Sequence, residues 1–471
     1  MKHRGRHRRR RRGRALRASL AGTALALTAA ATLISTSQAV GGDTPGPLDS
    51  ITSTDELHDL RLRENLTGQA TLDTLTTRMG GSVGVHEVLR SANHTMRNRT
   101  ECEAPETAAL PVEPRASRAY CWDAADAVNE KWDPQSVTTS GDADSDGQWG
   151  DDRVVLAGWT HDNSDTEDHN SEDDGLARIA FVDADDPGNL IYRYVLLVAP
   201  EDGGKDFSAV RSGLGGMVWY QDKLIVTARA AGQHDNALYV FDLDLILRAG
   251  VTDSDAIGKV DEGWSAHHYR YVLPAVGSYS LPSGTRGSGG TCDSRDGDGV
   301  PCLSSLSLDR TSTPHSLVAS ESSGPDREEP TRIWRYDLAP GADHRAGPLA
   351  ADSRGVVDPS EAYRTKAGGV QGVLSHDGDW YVGQAPADPD APGTLWRQDE
   401  DGAKAAKCTT AGPDDAPGEA SDEESYSCWG LHTSALSYWP ETRELWTLTD
   451  AIPERVLYAV RWSAIGDTLN Q

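Results

Sequence analysis

The sequence predicts an all-β fold, a β-propeller of five four-stranded blades with a short irregular N-terminal extension, and three observations carry that expectation. The pentapeptide Tyr-Arg-Tyr-Val-Leu occurs twice, at Tyr192 to Leu196 and at Tyr269 to Leu273. An apolar segment closing on a polar residue recurs five times: Ile179 to Asp183, Leu238 to Asp242, Ile333 to Asp337, Leu395 to Asp399 and Leu457 to Arg461. Helical periodicity is nearly absent after residue 130, so the repeated unit must be built from strands.

At the N-terminus, the first 17 residues carry ten Lys and Arg and no acid, Ala18 to Ile34 is apolar, and Ser37-Gln38-Ala39 offers small residues for cleavage. That pattern is a secretory signal peptide, residues 1–39, which places the protein outside the cell with no membrane span after cleavage. An uncleaved anchor is the competing reading, but the apolar run is short for a span of about 20 residues. Residues 40–130 read as an N-terminal extension, partly disordered, packing on a propeller at 131–471. Glu56 to Arg63 and Gly84 to Arg90 could form short helices there.

The full chain holds 45 basic and 73 acidic residues; without the ten of the leader, 35 face 73, a formal charge of −38. Such a surface repels phosphate backbones and anionic lipid, which argues against a nucleic-acid partner. Six cysteines in an exported chain predict disulfides, most economically Cys102 with Cys121, Cys292 with Cys302 and Cys408 with Cys428, although other pairings remain open.

Stacking the chain gives each unit its strands. First strands fall at Ser136 to Ser140, Gly216 to Tyr220, Ser305 to Leu308, Gly372 to Ser375 and Ser434 to Trp439. Second strands, β-branched and aromatic, follow at Val154 to Trp159, Leu224 to Ala228, Ser316 to Ser320, Trp380 to Gln384 and Leu445 to Thr449, after turn signals such as Gln221-Asp222 and Asp377-Gly378. The recurring apolar segments are third strands, beginning 59, 95, 62 and 62 residues apart; an inserted Gly/Ser/Asp-rich loop around Ser278 to Cys302 explains the long interval. The two pentapeptides supply fourth strands of the first two units, facing solvent and neighbouring loops. Few residues remain after Arg461, so the fifth unit is expected to borrow its outer strand from the N-terminal segment.

The stretches Tyr120-Cys121-Trp122-Asp123, Trp132 to Thr139, Gly215 to Tyr220 and Leu238 to Asp242 resemble secreted bacterial β-propeller-like proteins of unassigned function, over about residues 100 to 465. The resemblance implies secretion and a repeated β architecture, and it transfers no active-site residue.

Three constellations could carry chemistry. Asp142, Asp144 and Asp146, followed by Gly147, match the start of a calcium loop, since alternate carboxylates in a turn can converge on a hard cation. Arg153 at the twelfth position and the lack of flanking helices exclude an EF-hand, and an acidic turn between two strands is the competing reading. Asp293 to Asp298 is a weaker copy. The acid- and His-rich stretch His161 to Asp174 lacks the fixed spacing zinc requires and reads as a solvated loop. Gln135, Gln371 and His432, with Ser304 and Gly215 opposite, lie near the starts of first strands, where a central channel could take a small polar ligand or where they could satisfy each other and buried water.

Neither a Gly-x-Ser-x-Gly elbow nor a His-Glu-x-x-His helix is present. The expectation is therefore a monomeric, non-enzymatic binding or scaffold propeller for an unidentified extracellular ligand such as a glycan or cell-envelope component, with calcium its only expected cofactor. The alternative is an extracellular hydrolase using a glycosidase-like acid pair on carbohydrate.

Overall fold

The computed structural model describes residues 44–162, 173–228, 236–281, 300–324, 330–339, 347–409 and 424–469. The expected signal peptide, Cys292, Asp293 to Asp298 and residues 163–172 of the acid- and His-rich stretch lie outside the described residues.

The described chain is mostly β, organised as five antiparallel meanders. Unit one comprises Trp132–Thr139, Val154–His161, Ala177–Asp183 and Ile191–Glu201, paired in that order. Unit two comprises Met217–Tyr220, Lys223–Thr227, Asn236–Asp242 and Tyr271–Ser280. Unit three comprises Leu303–Asp309, Ser316–Glu321, Thr331–Asp337 and Glu361–Thr365. Unit four comprises Val370–His376, Asp379–Gln384, Thr394–Gln398 and Ala403–Lys404. Unit five comprises Thr433–Trp439, Glu444–Thr449 and Val456–Arg461, and its fourth strand is the distant Arg118–Cys121.

The local sequence explains these elements. Every residue of the second strands Val154–His161 and Glu444–Thr449 is buried, which is why they read as continuous runs rather than polar/apolar alternation. Hairpins turn where a left-handed residue is available: Gln221 and Asp377 have φ of 53°, and Asp377 is followed by Gly378 at φ 87°. Four first strands also slip register near their starts, between Pro134 and Ser136, Leu303 and Ser305, Val370 and Gly372, and Ser434 and Ser437. The residues skipped include Gln135, Ser304 and Gln371, so a repeated bulge turns these side chains out of the ladder.

First strands of successive units touch in cyclic order, the fifth meeting the first. They are joined by side chains rather than by a ladder: Trp219 N–H donates to Thr138 Oγ1 at 3.0 Å, and Val373 N–H to Ser305 Oγ at 3.0 Å. Glycine permits the approach, since a Cβ on Gly216 would lie 2.5 Å from the Leu306 nitrogen. Between the sheets the core is layered, with Leu156, Phe181, Val195, Trp219 and Leu224 between units one and two, and Tyr120, Val155, Trp439 and Trp446 between units five and one. Each such side chain contributes roughly 1.5–3 kcal/mol of burial free energy.

Residues 44–130 are more regular than the expected irregular extension. Helices form at Thr54–Asp59, Gln69–Arg78, Val85–Arg90 and Ala104–Ala108. Gln69–Arg78 escapes a propensity reading because Thr is a poor helix former; Leu72 and Leu75, three residues apart, anchor it. Short strands of this segment cap sheet edges: Asp49–Ser50 on unit three, Leu62–Leu66 on unit two and His94–Thr95 on unit one. Disulfides link Cys102 to Cys121 and Cys408 to Cys428, and Cys302 is disulfide-bonded too.

The fourth strands of units one and two depart from the expected separation. They pair in parallel, Val272 opposite Leu196 and Leu273 opposite Leu197, so the two pentapeptide copies meet at their C-terminal ends within one larger sheet. Their tyrosines do not face solvent: Tyr192 and Tyr271 are fully buried and Tyr194 is 5% exposed. Among the described residues, no helix is long and apolar enough to cross a membrane.

Candidate functional site

Gln135, Gln371 and His432 all sit at or beside the starts of first strands, and Gln135 and His432 each have a local partner. Thr160 Oγ1 donates to Gln135 Oε1 at 3.0 Å and itself accepts from Leu214 N–H at 2.9 Å. His432, left-handed at φ 44°, places Nε2 3.5 Å from Glu454 Oε2. Gly215 lies against Ser304, whose carbonyl oxygen would be 2.4 Å from a Cβ there. The first strand of unit three also touches that of unit five.

The acidic loop does not gather its carboxylates. Asp142 is buried in a short helix, Ser140–Ala143, where its Oδ2 accepts from Thr138 Oγ1 and from Ser437 Oγ, both at 2.7 Å. Asp144 and Asp146 are exposed, and each caps a neighbouring backbone N–H, that of Ser145 and that of Gln148. Gly147 has φ 80°, and a Cβ on it would fall 2.8 Å from Trp439 Nε1; one on Gly141 would fall 2.4 Å from Trp439 Cδ1. The motif folds as a saddle for Trp439. Burial pushes the Asp142 carboxyl up to about 6, against the hydrogen bonds from Ser437 and Thr138 and the nearby Arg310 charge.

A cavity of about 220 Å³ opens between units five and one, lined by Tyr120, Trp439, Trp446, Arg118, Arg153, Asp185, Glu441 and Thr442 among others. Tyr120 and Trp446 lie parallel with centroids 6.3 Å apart, and Trp439 tilts against Trp446 at 5.9 Å. Arg153 Nη2 meets Glu441 Oε1 at 2.7 Å, its backbone N–H holds Asp185 Oδ1 at 2.9 Å, and Arg118 Nε meets Glu444 Oε1 at 3.1 Å. The hydrogen bond it donates to Glu441 raises the Arg153 guanidinium further. Three buried donors of lining residues, Trp439 Nε1, Trp446 Nε1 and Thr442 Oγ1, have no hydrogen-bond partner.

A second cluster, missed by sequence reasoning, lies where the N-terminal segment meets unit one. Arg178 is buried with its guanidinium carbon 3.6 Å from the Tyr194 ring centroid and 4.0 Å from that of Trp132, and Nη1 donates to Tyr269 Oη at 2.9 Å. Its Nη2 stands 3.6 Å from Asp126 Oδ1, while Tyr192 donates to Asp126 Oδ2 at 2.6 Å and His94 Nδ1 approaches Asp123 Oδ2 at 2.5 Å. Burial alone would raise the Asp123 carboxyl, but hydrogen bonds from the Asp126 N–H, the His94 ring and the Ala125 N–H bring it below its ordinary value. The available signal was Arg178 itself, a charge inside the apolar run Leu176 to Val182.

No family model matches the chain, and no curated protein matches it either.

Proposed function

We propose that the chain is a secreted, non-enzymatic five-bladed β-propeller that binds a small extracellular ligand, a glycan or cell-envelope component, in the cavity between units five and one. That cavity carries the reading: it has aromatic walls and an Arg153–Glu441 pair beside them. At about 220 Å³ it lies below the roughly 300–1,000 Å³ of drug-sized sites, which suits one small ring. Five meanders with first strands touching in cyclic order support the propeller. Two disulfides support an oxidising compartment. Calcium at Asp142, Asp144 and Asp146 drops out of this reading, because the three carboxylates serve separate partners.

Hydrolysis by a carboxylate pair has one observation in its favour, the presence of Asp185 and Glu441 in the same cavity. Arg153 engages both, so neither stands in the apolar surroundings that make a carboxyl a proton donor, and binding is the better account.

A glycan array followed by isothermal titration of the mature chain tests the reading. Binding is expected, with Arg153→Ala weaker by roughly tenfold, about 1.4 kcal/mol. Absence of binding alongside measurable turnover of a carbohydrate would sink it.

A further inference from the structure

The cluster around Asp126 has the composition and support of a metal site. His94 Nδ1 lies 2.5 Å from Asp123 Oδ2 and 3.5 Å from Asp126 Oδ2, and one ligand atom from each residue falls within 4.8 Å of the others. The surroundings orient every member. Asp123 Oδ1 is occupied by the N–H groups of Ala125 and Asp126, leaving Oδ2 toward His94. Tyr192 holds Asp126 through its hydroxyl, and the His94 ring lies against Tyr192 at 4.8 Å and edge-on to Tyr194 at 5.4 Å.

A second observation points the same way. The Tyr194 hydroxyl is buried beside Asp126, and no hydrogen bond of full geometry reaches it. Arg178 is drawn into its aromatic sandwich and stays 3.6 Å from Asp126 Oδ1, so it does not take over the carboxylate. The side chains of His94 and Asp123 are each 25% exposed, which leaves one side of the cluster open to water.

We propose that His94, Asp123 and Asp126 bind a divalent transition metal of the zinc class, with water completing the coordination. One imidazole nitrogen and two carboxylates are an N/O set of the count zinc accepts when it keeps an open position. Calcium wants about six to eight oxygens, more than this cluster supplies. Tyr192 and the two N–H groups capped by Asp123 provide the outer contacts that hold metal ligands in place. The ion would join the strand His94–Thr95, which already pairs with the outer strand of unit one, to the turn Asp123–Asp126.

The test uses chelator-stripped mature chain, titrated with Zn²⁺ by calorimetry and with Co²⁺ by visible absorption. Wild type should bind Zn²⁺ with a raised thermal midpoint, and His94→Gln should lose one equivalent or bind it at least about tenfold more weakly. The variant Asp144→Asn, with its acid on a separate loop, should behave as wild type. Equal Zn²⁺ stoichiometry and affinity in His94→Gln would overturn the proposal. Should that variant not fold, wild type decides: intense Co²⁺ bands displaced by Zn²⁺ support the site, and their absence overturns it.

Discussion

The Ser437 hydroxyl donates to the carboxylate of Asp142 at 2.7 Å across the seam where unit five meets unit one. Thr138 donates to the same oxygen from the other side, so one buried acid joins the last first strand to the first. The carboxyl is held up to about 6 by burial, against 3.8 when unperturbed. The folded state therefore binds this proton more tightly than the unfolded chain, and stability falls as pH rises between about 4 and 6, by an order of 3 kcal/mol in total. Urea midpoints across that range should show the decline, and Asp142→Asn should flatten it. An unchanged slope in the variant would assign the effect to other groups.

The saddle under Trp439 makes a second expectation. Gly141→Ala should destabilise by roughly 1–3 kcal/mol, because the added carbon meets the indole at 2.4 Å. Asp144→Ala and Asp146→Ala should stay within about 0.5 kcal/mol, since their carboxylates cap only exposed turns. Thermal midpoints of the three variants with and without Ca²⁺ check both statements.

Glu321 and Arg332 form a pair that is almost entirely removed from solvent, with Nη2 to Oε2 at 2.8 Å and the Arg332 N–H on Oε1 at 2.8 Å. Glu321→Ala removes a buried carboxylate that accepts from both the guanidinium and the backbone N–H of Arg332, and should cost about 3–5 kcal/mol by chemical denaturation. A loss under about 1 kcal/mol would mean that water reaches the site.

Cys102 and Cys121 are 19 residues apart, and their bond fixes the strand that completes unit five. Replacing both with Ser should cost about 2–4 kcal/mol and expose the edge of Val456–Arg461. Hydrogen exchange of that strand should rise more than exchange in unit three. Uniform exchange across all units would contradict the local role.

Strands were legible because their information is local: five apolar segments ending in a polar residue, with turn residues such as Asp377-Gly378 between neighbours. The borrowed outer strand was expected too, and Arg118–Cys121 fills that place. Asp142 was not, because its partner Ser437 lies 295 residues away and the intervening residues give no sign of the meeting. Spacing in Asp142-Ala143-Asp144-Ser145-Asp146-Gly147 suggested convergence on an ion, whereas Trp439 arriving from unit five decides where those side chains point. His94, the turn that carries Asp123 and Asp126, and Arg178 come from three separate segments, and only the improbable arginine among Leu176, Ala177 and Ile179 hinted at them. The helix at Gln69–Arg78 was hidden for a different reason, a weak local preference overruled by burial of Leu72 and Leu75.

The fourth strand of unit five, Arg118–Cys121, is synthesised long before Val456–Ala459, its partner. Unit five thus cannot be finished in the order in which the chain emerges. Until the C-terminal strand arrives, the early segment holds unsatisfied backbone groups, and such distant contacts are slow to form because chain entropy opposes them. Unit five therefore stays open until its last strand has been made.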